Sequence, residues 1–126
     1  MNMVKTDEHA LEKLHNEWIG NLLAYEEHLQ NIQAVCSQLQ SSVNDLQFQH
    51  ELQQLRIEIV LQKSIISVLN EEVLQLRKRF NERDEKQVIN LADLIENNRF
   101  RDRVRKAEQS VFMLKYQVNK FLSIAS

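Results

Sequence analysis

The sequence predicts an all-α chain built as a long, elongated coiled coil. Three observations carry that expectation: one glycine and no proline in 126 residues, apolar residues spaced alternately by three and four, and opposite charges flanking the apolar seam. Globular domains use glycine and proline at about 7% and 5% to make turns, so a chain almost without them favours uninterrupted helix. The 24 Asn and Gln residues mostly fall between apolar residues at helical spacing and read as a solvated helix surface.

The first heptad stretch covers residues 11–46. Leu11, Trp18, Tyr25, Ile32, Leu39 and Leu46 form the d column, and His15, Leu22, Leu29, Cys36, Val43 and His50 form the a column. Two columns repeating every seven residues are the seam of a coiled coil. Trp18 and Tyr25 lie on that seam, which Leu14 and Ile19 widen. A tryptophan near the start of a long helix resembles spectrin repeats, but the later helices lack a matching pattern and no family is assigned on it.

The second stretch, residues 48–80, places Leu52, Ile59, Ile66, Val73 and Phe80 at a, and Phe48, Leu55, Gln62, Leu69 and Leu76 at d. The third, residues 97–122, has Val104, Val111 and Val118 at a, with Phe100, Ala107, Leu114 and Phe121 at d. β-Branched residues at a with Leu at d favour two parallel strands. Register shifts near residues 44–50 and 81–98 separate the stretches. Without glycine or proline there, continuous helix is the preferred expectation, with a hairpin or bundle as the alternative. Ser42, Asn44, Asn97 and Asn98 are the candidate turn or cap residues. The whole chain, residues 1–126, is read as one helical unit.

Charges flanking the seam point to a parallel homodimer. In that arrangement a g residue of one chain approaches the e residue five positions later on the other. The resulting pairs are Glu58 with Lys63, Glu72 with Arg77, Arg79 with Asp84, Glu96 with Arg101, and Arg103 with Glu108, all opposite in sign. The expected dimer seam is Leu22, Leu29, Ile32, Leu39, Leu55, Ile59, Ile66, Leu69, Val73, Leu76, Phe100, Val104, Val111, Leu114 and Val118.

This grammar also accounts for NNRFRDRVRK, residues 97–106, where Phe100 and Val104 are seam residues and Arg101 and Arg103 flank them. Only Arg99, Arg105 and Lys106 point fully outward. Ten of the sixteen basic residues lie between Arg77 and Lys106, but six acidic residues share the interval. Nucleic-acid binding needs an unshielded array of phosphate contacts, so it is disfavoured.

One feature exceeds what a two-stranded coil needs. Ile57, Leu61, Ile65 and Val68 make a second apolar stripe beside the seam, which either the protein's own helices cover or a partner helix does. Phe112, Met113 and Tyr116 form a weaker candidate near the C-terminus. No catalytic, metal or cofactor site is expected: phosphate-binding glycine loops are absent, and His9, His15, His28 and His50 include no HExxH spacing. His15 and His50 read as seam polars, and charging them at low pH would weaken the coil.

No uninterrupted apolar run approaches the roughly 20 residues of a membrane span, and the N-terminus lacks the apolar stretch of a signal peptide. A lone cysteine, Cys36, suits a reducing compartment, so a cytoplasmic location is expected, with the nucleus open. The function expected is non-enzymatic: a dimerising scaffold or adaptor, with a further helical partner, in a cytoskeletal, centrosomal, kinetochore or motor-cargo assembly. The alternatives are a helical-bundle subunit of a hetero-oligomeric complex such as a vesicle tether and, less favoured, a nucleic-acid-binding dimer.

Overall fold

The expected helices form, and the chain reverses direction from each helix to the next. The computed structural model describes the backbone of residues 2–82 and 89–125, and the side chains of residues 9–82 and 89–125. Among the described residues there are three helices and no strands: α1 (Asn2–Gln40), α2 (Leu46–Asn81) and α3 (Leu91–Ala125). Each helix touches the other two.

Side-chain bridges fix the directions. Arg77 donates to Asn16 at 3.0 Å and Lys63 to Gln30 at 2.7 Å, so α2 runs antiparallel to α1. Arg79 pairs with Glu96 at 2.8 Å, and Arg103 pairs with Glu72, so α3 runs antiparallel to α2. His15 meets Asn97 and His28 meets Lys115, which sets α3 parallel to α1. The result is an up-down-up bundle.

The first turn needs no glycine, and no described residue has positive φ. Ser41 and Ser42 return their backbone N–H groups to Gln38 and Leu39. Their hydroxyls both donate to the Gln38 carbonyl. Asp45, in extended conformation at φ −103° and ψ 127°, then caps α2 by accepting from the N–H groups of Gln47 and Phe48. At the start of α3, Asn90 and Asp93 exchange hydrogen bonds: each side chain accepts from the other's backbone N–H at 2.9 Å. This reciprocal box satisfies two donors at a helix start that would otherwise be unpaired. The single glycine, Gly20, stands on the exposed side of α1.

All fifteen residues expected at the dimer seam are buried, and they are buried inside one chain. The continuous rod is therefore replaced by a folded-back core. Heptad columns specify which face is buried, and a second and third helix of the same chain cover it as well as a twin does. The first stretch ends earlier than its heptads suggest. Leu46 opens α2 at 89% exposed, and His50 is exposed in the first turn of α2. Phe48 closes that end of the core, its ring edge-to-face with Phe121 at 5.2 Å.

The charged residues offered as interchain pairs find other neighbours. Glu72 pairs with Arg103 and Arg79 with Glu96, joining g positions of α2 and α3. Lys63 donates to Gln30 and Gln33, and Arg77 to Asn16. Arg101 lies 3.7 Å from Asp102, and Glu108 accepts from Tyr25. Glu58 rims a groove between α2 and α3. Asp84 lies outside the described residues.

Candidate interaction face and buried polar pair

With the seam spent on the core, the second apolar stripe stays outside. Ile57, Leu61, Ile65 and Val68 are between 51% and 58% exposed. They lie one helical turn apart on α2, which puts them on one face. The covering by the protein's own helices is thus not what the bundle provides. From the far end of the sequence, α3 brings Met113 across from Leu61 and Ile65, while Phe112 lies around α3 on the side of Glu108, toward α1. Of the second sequence candidate, Met113 is the residue that joins the α2 stripe along the groove between α2 and α3. Between the helices runs a shallow groove of about 540 Å³ lined by Glu58, Leu61, Gln62, Ile65, Lys106, Ser110 and Met113, among others. Lys120 sits over the Tyr116 ring at 5.0 Å.

The opposite end of the bundle holds a polar pair in an apolar layer. His15 on α1 is fully buried and Asn97 on α3 nearly so. Asn97 donates its Nδ2 to the Asp93 carbonyl, so its oxygen is the atom facing His15 at 2.6 Å. An amide oxygen only accepts, hence His15 Nε2 carries the proton. His15 Nδ1 has no hydrogen-bond partner among the described residues. The rings of Trp18 and Phe80 pack against the imidazole at 5.5 and 5.4 Å. Burial pushes the His15 pKa down. The Asn97 hydrogen bond opposes that shift, Arg77 adds to it, and Glu12 and Glu96 oppose it. His15 therefore faces Asn97 of its own chain, where a homodimer seam would have set it against its twin.

Cys36 is fully buried, and burial raises its thiol pKa, with Arg56 opposing. A protonated thiol inside a core is a packing residue and a poor nucleophile. Tyr25 is likewise pushed up by burial and by Glu108, whereas the hydrogen bond from Arg103 holds Glu72 below the usual carboxylate range. Arg99, Arg105 and Lys106 remain exposed on α3.

Among the described residues no cluster of three or more His, Cys, Asp or Glu could hold a metal ion, and no helix is long and apolar enough to cross a membrane. Comparison with protein-family models, curated proteins and solved structures returned no match. The fold and the face together define an all-helical bundle with an uncovered apolar side.

Proposed function

We propose that the chain is a non-enzymatic helical interaction module, a scaffold or adaptor whose working surface is the α2–α3 face. One observation carries this reading. The heptad residues complete a core within one chain, yet Ile57, Leu61, Ile65, Val68 and Met113 remain exposed together beside it. An apolar patch of this extent, rimmed by charge, is characteristic of interaction sites on soluble proteins. The bundle favours a subunit of a helical assembly over a free rod.

The test is the pair Leu61→Glu with Val68→Glu. Neither side chain is part of the core, so the helicity of the chain is expected to hold. Capture of binding partners, identified by mass spectrometry and compared with the wild type, is expected to be lost. Lost helicity, or unchanged capture, would count against the proposed face.

A second reading, the extended parallel coiled-coil dimer, is favoured by the opposite signs of all five g–e pairs. It uses the same seam residues, and the chain's maximum dimension in solution separates it from the bundle.

A further inference from the structure

We infer that the occupant of the α2–α3 face is a second copy of this chain, packed antiparallel about a two-fold axis that lies in the interface and crosses the helices between Leu61 and Ile65. The inference rests on the reading of that face as an interaction surface and names its partner.

The charges of the groove carry the argument. Glu72 faces Arg103 and Arg79 faces Glu96; the same antiparallel register sets Glu58 opposite Gln117 and Lys106 opposite Leu69. Glu58 and Lys106 both line the groove, but they stand about eleven residues apart along it, roughly 16 Å at the helical rise. One end of the groove is acidic and the other basic. Among the described residues neither side chain has an ion pair or hydrogen bond. Lys120, the other cation at the acidic end, leans on Tyr116.

The midpoint between Glu58 and Lys106 falls between Leu61 and Ile65, with Met113 across the groove. The apolar stripe from Ile57 to Val68 is centred on nearly the same level. Charge and apolar pattern therefore share one centre, which is what a self-complementary two-fold contact requires. Turning a second copy end for end over that centre brings its Lys106 to the level of the first copy's Glu58, and the reverse. A parallel copy would set Glu58 against Glu58 and Lys106 against Lys106, so charge selects the antiparallel arrangement.

The exposed apolar area supports the same contact. Ile57, Leu61, Ile65, Val68, Met113 and Tyr116 are each about half exposed. At about 100 Å² apiece they supply roughly 600 Å² per partner, about three-quarters of a standard interface, which the polar rim of the groove would extend.

Charge reversal tests this on the full chain, with light-scattering mass measured over a concentration series. The wild type is expected to reach twice the 15.0 kDa of one chain. Glu58→Lys sets two lysines together at both ends of the dimer, and Lys106→Glu sets two glutamates together. Each variant alone should raise the dimer dissociation constant about tenfold or more. Mixed in equal amounts, the two variants restore both contacts in one heterodimer, which should form within about threefold of the wild-type affinity. Circular dichroism checks that each variant keeps its helicity.

A wild type that stays monomeric throughout overturns the inference, as does a mixture no tighter than its components. A monomeric wild type whose capture of another protein still depends on Leu61 and Val68 removes the homodimer and leaves the interaction module standing. If neither mass nor capture responds to the face, both readings fall.

Discussion

His15 on α1 and Asn97 on α3 meet at 2.6 Å in a layer otherwise closed by the Trp18 and Phe80 rings. Their hydrogen bond uses one nitrogen of the imidazole and leaves Nδ1 facing apolar surroundings. A proton added at Nδ1 would have no acceptor, so the folded state favours the neutral ring. In the unfolded chain the same histidine takes a proton near its ordinary value of about 6.5.

The folded-state pKa is depressed, so the unfolded chain binds more protons as the pH falls. The stability contributed by neutral His15 is present above about pH 6.5 and is lost as the pH drops from there toward the lowered native value. Urea denaturation between pH 7.5 and 5 should show this decline, and the double variant His15→Leu with Asn97→Leu should flatten it. Replacing both members removes the polar demand, whereas Asn97→Leu alone leaves His15 Nε2–H unsatisfied at a cost of about 1–3 kcal/mol. Equal pH profiles for wild type and double variant would show that His15 is not buried as described.

Much of the core was legible because a helical period needs no tertiary information. Columns such as Ile59, Ile66 and Val73 announce a buried face whatever covers it. What covers it was not legible, and the charges show why. Glu72, Arg79, Glu96 and Arg103 give opposite-sign pairs for g with e between parallel twins. They also give opposite-sign pairs for g with g between the antiparallel helices α2 and α3. For these four residues the signs fit either arrangement. Turns stood only as the alternative because glycine and proline are absent there, although Asn90 and Asp93 spell a capping box three residues apart. The joining of Leu61 to Met113 was invisible, since only the antiparallel packing of α2 and α3 brings those residues together.

Overall dimension follows from the turns. The longest helix, α1, has 39 residues and spans about 58 Å, against roughly 165 Å for an unbroken rod of about 110 residues. Small-angle scattering should therefore give a maximum dimension well under 100 Å, even with two bundles side by side. A profile extending past about 150 Å would establish the extended coil.

Cys36 gives an orthogonal reading of the same question. Its sulfur lies in the core of one chain, with Leu39 and Leu29 on the same buried face of α1. Two copies cannot bring their Cys36 Cα atoms within the roughly 7 Å a disulfide permits without opening the bundle. Thiol labelling should be slow in buffer and become fast in denaturant, and mild oxidation should leave the protein uncrosslinked. Rapid formation of a Cys36-linked dimer from the native state would favour the parallel twin.

Gly20 offers a stabilising change with a clear cause. It sits in the middle of α1, and a Cβ added there meets nothing within 4 Å. Gly20→Ala should raise stability by about 0.5–1 kcal/mol, through reduced freedom of the unfolded chain and better helix propensity. Chemical denaturation would show a higher midpoint with an unchanged slope.

The two cap residues distinguish bundle from rod by the sign of one measurement. In the bundle Asp45 accepts from the Gln47 and Phe48 N–H groups, and Asn90 accepts from the Asp93 N–H. Removing either side chain exposes helix-start donors that no carbonyl can reach. Asp45→Ala and Asn90→Ala should each destabilise the protein by about 0.5–2 kcal/mol. In an unbroken helix the same positions would be interior and solvated, where Ala is the better helix former, by up to about 0.7 kcal/mol. Both substitutions would then stabilise. A shift of the urea midpoint downward for each variant supports turns at Asp45 and Asn90, and an upward shift for both would mean that the helix runs through them.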